Sequence, residues 1–325
     1  MLSLPVCLLL VFAVAALVTW AAIRYALKRQ LFDLPGERRS HRISTPRGGG
    51  IGIVVSQLLA CALGAVWLPH AAMVLLVFAL GLVLVAGIGW WDDHRPLPAL
   101  PRLFVHLAAA LLLGWLVWHG TANVWKTLLC TLLAVSLINI WNFMDGINGL
   151  ASSQAIIVAV GAGLLLPPPY AAAGWALAVG CAGFLPFNFP RARIFMGDVG
   201  SGALGYLVAG LLSLGICVTD MALPLWLMLP AAFFIDAGFT LLGRIVRGEP
   251  WMQAHTQHLY QCWVKNEWSH VFVTSLYMLF SIVGTILAAL FAGLSPEWGW
   301  AGGFTWVAVG TVAWFFLRAR THQPG

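Results

Sequence analysis

The chain has 325 residues, 61% hydrophobic and 9% charged, with a formal net charge of +6 and a mean hydropathy of +0.90. Apolar runs of about twenty residues alternate with short polar breaks, which excludes a soluble globular domain, and the runs are too long for the alternating strands of a barrel. No basic arm or aromatic RNA motif accompanies the positive charge, so nucleic acid is not an expected partner, and six cysteines without paired spacing argue against zinc or a disulfide framework.

The expected fold is an all-α polytopic membrane bundle, one domain over residues 1–325, with about eleven transmembrane helices. The spans are 3–26, 49–68, 71–91, 102–119, 124–142, 149–166, 170–187, 200–217, 221–243, 271–292 and 299–317. The first lacks a basic flank before it, so it should remain as a helix rather than be cleaved as a signal peptide. Arg24, Lys28, Arg29, Arg38, Arg39, Arg42 and Arg47 follow it, which places the N-terminus outside and the first loop in the cytoplasm. Alternation then places Arg95, Arg102, Arg191, Arg193, Arg244, Arg247, Lys265, Arg318 and Arg320 inside, with a cytoplasmic C-terminus, and leaves Lys126 alone outside. An even number of spans would split the basic residues between the two faces.

The polar breaks on the cytoplasmic side carry the candidate chemistry. In the first, Thr45-Pro46-Arg47-Gly48-Gly49-Gly50 follows Asp33, Arg38, Arg39 and His41; a tight loop there would present the free N–H groups of the second helix to an anion. Next comes Asp92-Asp93-His94-Arg95 at a helix end. Adjacent carboxylates stand about 100° apart around a helix axis, so they should do different work, one taking a proton while the other holds a cation. In the third, Asn139, Asn142, Asp145 and Asn148 recur every three residues and share a face while the helix lasts, offering hard oxygen ligands and hydrogen-bonding groups.

The fourth break, Asn188 to Gly202, includes Arg191, Arg193 and Phe195-Met196-Gly197-Asp198-Val199-Gly200-Ser201-Gly202. Its glycines would let backbone amides approach a phosphate at the start of a helix, with Asp198 as a hard metal ligand among them. Arg191 and Arg193 read either as topological charges or as phosphate contacts. The fifth runs from Arg244 to His270, with His255 and His258 placed to face the same way on a helix, and with Trp251, Leu259, Tyr260, Trp263 and Trp268 suggesting a segment at the membrane interface. Asp236, inside the ninth span, reads as a paired structural acid. Lys28, Arg318 and Arg320 read as membrane anchors.

Taken in order, Asp33-x-Pro35, Thr45-Pro46-Arg47-x-Gly49, Asp92-Asp93, Asn142-Phe143-Met144-Asp145-Gly146-Ile147-Asn148-Gly149, Phe195-Met196-Gly197-Asp198-x-Gly200-Ser201 and His255-x-x-His258 span residues 28–261. This series resembles the polyprenyl-phosphate N-acetylhexosamine-1-phosphate transferases, glycosyltransferase family 4, and most of all the bacterial members that start O-antigen synthesis. The resemblance implies transfer of a sugar 1-phosphate from UDP-GlcNAc, or a 6-deoxy relative such as UDP-FucNAc, to undecaprenyl phosphate in the bacterial inner membrane, with Mg²⁺ (or Mn²⁺) and release of UMP. By the same resemblance, Asp198 is the principal metal ligand with Asn142 as a second, and Asp92 and Asp93 are the acidic pair beside the lipid phosphate. Asp145 and Asn148 then line the nucleotide site, and Arg244, His255 and His258 meet the donor, while the residue pattern itself adds Arg47, Asn139 and Arg193 as candidate substrate contacts. Asn148 stands where many relatives carry an aspartate, and Arg95 where some carry a nearby lysine; its fork is not equivalent to an ammonium.

Two phosphate anions about 4 Å apart repel by roughly 4 kcal/mol at an effective dielectric near 20, so the reaction needs cations at this face. The expected route is direct attack of the lipid phosphate on the β-phosphorus, with Asp92 or Asp93 accepting a proton or positioning the acceptor; a covalent aspartyl-phosphate route is the rival. Two other functions compete: the UDP-MurNAc-pentapeptide transferase of peptidoglycan synthesis, whose histidine run differs from His255-Thr256-Gln257-His258, and a secondary transporter, which would place polar residues at the bilayer midplane. Homodimerisation stays open.

Overall fold

A computed structural model describes residues 3–33, 44–250 and 255–321. Arg38, Arg39, His41 and Arg42 of the first polar break, and Trp251 of the fifth, lie outside the described residues. The chain runs α1 (Leu4–Arg29), β1 (Phe32–Asp33), β2 (Thr45–Pro46), α2 (Ile51–Trp67), α3 (Ala72–His94), α4 (Ala99–Thr121), α5 (Val124–Phe143), α6 (Leu150–Leu165) and α7 (Ala171–Asn188). It continues with α8 (Asp198–Val218), α9 (Leu223–Met228), α10 (Ala231–Val246), α11 (Leu259–Lys265), α12 (His270–Ala292) and α13 (Pro296–Arg320).

Among the described residues, eight helical stretches are long and apolar enough to cross a membrane, and α2 and α6 are apolar but shorter. This is a polytopic helical membrane protein. Every expected span coincides with helix, with one interruption: 221–243 is divided into α9 and α10. Pro230 lies between them, and a residue that lacks an N–H and crowds the preceding turn favours a break there. One pairing departs from all-helix, the two-residue ladder in which Phe32 faces Pro46 and Asp33 faces Thr45.

Helix α8 forms the centre. In its most apolar window 72% of residues are buried, against 17–22% for α1, α3 and α13, and it packs on α2 through α7 and on α9. Small residues on α8 permit this, since helix association within lipid depends on close backbone approach. A Cβ on Gly205 would lie 2.2 Å from the Leu137 carbonyl oxygen of α5. Gly205→Ala should therefore push α5 from α8 and cost about 1–3 kcal/mol. An unchanged thermal unfolding midpoint in detergent would contradict that contact.

Contacts at one end of the bundle tie helix termini together. Tyr25 Oη near the end of α1 lies 3.1 Å from His94 Nε2 at the end of α3. The Gly149 N–H before α6 donates to Asn188 Oδ1 at the end of α7 at 2.7 Å. Arg318 in the last turn of α13 donates to the Gln257 carbonyl at this same end. Lys126, in the first turn of α5, stands at the other end. The polar breaks named above thus converge on one end of the molecule.

Candidate active site

Asp92 and Asp93 end α3 and face different partners. Asp93 is buried, and its two oxygens accept the N–H groups of Asp198 and Val199 at 3.0 and 3.1 Å. These are the first amides of α8, which have no partner within their own helix. The anion at this helix start, where the macrodipole favours negative charge, is therefore a side chain from α3. Gly197 makes the approach feasible: its φ is +75°, and a Cβ there would lie 2.6 Å from Asp93 Oδ2. The expectation that the glycines open the first α8 amides to a phosphate is corrected by this contact. Gly200 instead packs against Gly50, where a Cβ would lie 2.6 Å from the Gly50 Cα, and Gly202 packs near Val85.

The Thr45–Gly50 loop is also engaged internally. The Gly49 and Gly50 N–H groups donate to the carbonyls of Phe195 and Met196 at 2.9 and 2.8 Å, and the Phe195 N–H donates to the Pro46 carbonyl at 2.8 Å. These two amides are not available to an anion, and the Gly52 and Ile53 N–H groups at the start of α2 donate to the Gly49 and Gly50 carbonyls at 3.1 and 3.0 Å, against the expectation that this helix start offers free N–H groups to an anion. Arg47 donates to the Asp93 carbonyl and, at 3.4 Å, to the Asp92 carbonyl, and its Nε lies 3.8 Å from Asp93 Oδ1. It clamps the end of α3 against the Met196–Val199 turn.

Asp92 turns toward a more open cluster. Its Oδ1 accepts the Leu97 N–H, and its Oδ2 lies 2.8 Å from Arg102 Nη1. The same nitrogen lies 3.1 Å from Asp198 Oδ2, so one guanidinium bridges two carboxylates. Asn142 Nδ2 donates to Asp198 Oδ1 at 2.9 Å and to Ser201 Oγ at 3.0 Å. The Asp198 side chain is 32% exposed, against 3% for Asp93, so Asp198 can meet a ligand where Asp93 cannot. Arg102 has a place in this cluster that sequence reading treats only as topology. Its one sequence signal is position, a lone charge in the first turns of an apolar helix.

Among the described residues no group of three or more His, Cys, Asp or Glu forms a complete metal cage. The donor chemistry nevertheless fits Mg²⁺, which takes one or two carboxylates and completes its octahedron with water and substrate phosphate. Asp92 and Asp198, already converging on one cation, together with the Asn142 amide, provide that kind of set.

The three-residue repeat does not continue as a shared helical face, because α5 ends at Phe143. Asn139 donates to the Val135 carbonyl at 2.7 Å, one turn away from Asn142. Asn148 stitches loops: its Nδ2 donates to the Pro190 carbonyl at 3.1 Å, and its carbonyl accepts the Thr274 hydroxyl at 2.9 Å. Asp145 lies between them, half-buried. Burial pushes its carboxyl up to about 7, and the Asp93 and Asp33 carboxylates add to the rise. Since the folded value exceeds the ordinary 3.8, the folded chain keeps a proton that the unfolded chain loses, and stability falls as pH rises from 3.8 toward about 7. Asp145→Asn should flatten that decline in unfolding midpoint; an unchanged slope would show that the decline originates elsewhere.

His255 and His258 precede α11 rather than lying on it, yet their rings meet with centroids 4.8 Å apart. His258 is buried, its Nδ1 has no hydrogen-bond partner among the described residues, and burial pushes its imidazole below the ordinary value, opposed by Asp236. Tyr260 docks this segment on the third polar break by donating to the Phe143 carbonyl at 2.9 Å. Arg318, read as an anchor, instead holds the Gln257 carbonyl and Cys262 Sγ. Arg244 is buried, donating to the Pro250 carbonyl at 2.6 Å and pairing with Glu249 at 3.2 Å. Arg193 is exposed, bonding the Pro186 carbonyl at 3.0 Å with its guanidinium 4.9 Å over Phe187. It folds onto the end of α7, and no contact joins it to the Asp92–Arg102–Asp198 cluster.

The sequence profile of glycosyl transferase family 4 matches residues 75–216, the stretch from α3 through α8 that holds this cluster. The phospho-N-acetylmuramoyl-pentapeptide-transferase of Synechocystis sp. is 31% identical over 274 residues, covering 73% of this chain and 72% of that protein. The chain belongs to glycosyl transferase family 4. Other family-4 relatives are the decaprenyl-phosphate N-acetylglucosaminephosphotransferase of Mycolicibacterium smegmatis, 35% identical over 62% of this chain, and a probable undecaprenyl-phosphate N-acetylglucosaminyl 1-phosphate transferase of Bacillus subtilis, 25% identical over 84%. The match spans 58% of the M. smegmatis protein and 81% of the B. subtilis one. Within this family-4 chain, Asp92, Asp93, Arg102, Asn142, Asp145 and Asp198 all fall inside the profile, whereas Arg47 precedes it and Arg244, His255 and His258 follow it.

Proposed function

We propose that this protein transfers an N-acetylhexosamine 1-phosphate from a UDP-sugar, UDP-GlcNAc or a 6-deoxy relative such as UDP-FucNAc, to undecaprenyl phosphate, releasing UMP. The observation that carries this reading is the cluster in which Arg102 bridges Asp92 and Asp198 beside Asn142, at the bundle end where the other polar breaks converge. A membrane-held acceptor can reach such a site from the bilayer while a soluble donor enters from water. The positive charge collected at this end supports a cytoplasmic orientation in a bacterial inner membrane. The product would begin O-antigen or lipopolysaccharide assembly.

An acceptor phosphate oxygen bonds to the β-phosphorus, the bond from that phosphorus to the α–β bridging oxygen breaks, and UMP departs with the electron pair. Asp92 faces the acceptor, where it takes a proton or orients the phosphate. Asp93, occupied by the α8 amides, holds Asp198 in place. Arg102 stabilises charge on the phosphoryl oxygens, and the stacked His255–His258 pair, of which His255 is the less buried member, contacts the donor. Mg²⁺ held by Asp198 and Asn142, with Asp92 nearby, would neutralise phosphate charge and the departing UMP. Mn²⁺ is the alternative ion.

The Synechocystis relative covers nearly three quarters of this chain and favours UDP-MurNAc-pentapeptide as the second reading. Purified protein in liposomes with undecaprenyl phosphate, Mg²⁺ and each UDP-sugar separates them by UMP release. Turnover of the pentapeptide donor alone would transfer the protein to the second reading. Substrate uptake with no UMP would revive the transporter.

A further inference from the structure

Helix α10 buries Phe233, Asp236, Thr240 and Arg244, a stripe at helical spacing that carries an ionisable residue into an apolar interior. Burying a carboxylate there is costly unless its oxygens are well supplied with donors. Asp236 is 1% exposed and collects donors from four helices. Tyr277 Oη of α12 lies 2.7 Å from Oδ2, while Trp314 Nε1 of α13 and Thr240 Oγ1 of α10 lie 3.0 and 3.3 Å from Oδ1. The Leu259 N–H donates to Oδ1 at 2.8 Å and the Tyr260 N–H approaches Oδ2 at 3.5 Å.

Those two amides immediately follow His258. The His258 ring stacks on Tyr260 with centroids 5.9 Å apart and lies 6.3 Å from the Phe143 ring, next to Asn142. We infer that Asp236 is a positioning residue for the donor-binding histidines: it fixes the Leu259–Tyr260 backbone to the bundle and so holds His258 against the end of α5. The inference rests on the reading of the His255–His258 pair as a donor contact. A carboxylate is suited to the task because its two oxygens have about four lone-pair directions, whereas an asparagine offers one acceptor oxygen and turns an N–H₂ toward N–H and O–H donors. Helix packing alone would need nothing that reaches the histidine segment, and here the shortest backbone contact of the carboxylate is to that segment.

The test uses the full chain in liposomes, with Asp236→Asn, His258→Ala and the double variant. Asp236→Asn should raise the KM for the UDP-sugar about tenfold, yet add less than about twofold in the His258→Ala background, since residues that act through one another are not additive. Hydrogen exchange at residues 255–265 should accelerate about tenfold in Asp236→Asn with α8 protection unchanged. Multiplicative losses in the double variant, or unchanged exchange at 255–265, would overturn the inference. Should Asp236→Asn fail to fold, Tyr277→Phe removes one donor and must show the same pattern at smaller amplitude. If the wild type releases no UMP from any UDP-sugar, the functional reading fails and the exchange measurement alone decides the role of Asp236.

Discussion

Asp198→Asn is expected to reduce UMP release by about 10²–10³-fold, roughly 3–4 kcal/mol of transition-state stabilisation, while leaving the fold intact. The separation follows from which atoms of Asp198 do what. Its backbone N–H receives the Asp93 carboxylate and anchors the start of α8, and asparagine retains that N–H. Its side chain faces Arg102 and Asn142 and is the most open of the three aspartates, so the substitution removes a charge from the cluster without emptying a packed position. Binding of Mg²⁺, followed by titration calorimetry with the UDP-sugar, should weaken in parallel. If more than about a tenth of wild-type turnover survives, transition-state charge is stabilised elsewhere.

The second large effect distinguishes neighbours. Asp93→Asn should destabilise the protein by about 2–5 kcal/mol, because one amide oxygen cannot replace two carboxylate oxygens that each accept a buried N–H. Activity should fall with it, since the start of α8 carries Asp198. Asp92→Asn should cost less than about 1 kcal/mol of stability, because asparagine still accepts the Leu97 N–H and the bond to Arg102 is partly open to solvent. Its turnover should nevertheless fall about 10²-fold or more if Asp92 acts on the acceptor phosphate as proposed. Measured together, thermal midpoints and UMP release give Asp93→Asn a large change in both and Asp92→Asn a change in turnover alone. The opposite order would reverse the two roles.

The candidate groups are legible because the chain is so apolar. In a background with 9% charge, Asp92, Asp93, Asn142, Asp145, Asp198, His255 and His258 stand out, and their order along the chain carries the family resemblance. Their partners were less legible. Arg102 resembles the other basic residues at this end until α4 is laid beside α3 and α8, and Arg318 resembles a membrane anchor until α13 brings it to the Gln257 carbonyl. The repeat from Asn139 to Asn148 predicted a common face, but that prediction holds only as far as the helix, which stops at Phe143.

Membrane residence, the positions of the helices and the grouping of charge at one end were all legible in the sequence alone, because hydropathy over about twenty residues and charge at helix ends are local properties. The choice of partner for each polar group belongs to the tertiary structure. A glycine-rich turn before a helix invites an anion whatever the anion is, and only the packing of α3 beside α8 decides that Asp93 meets the first amides of α8. That contact leaves Asp92 and Asp198 facing Arg102, and it divides two adjacent aspartates that their sequence position could separate only by an angle.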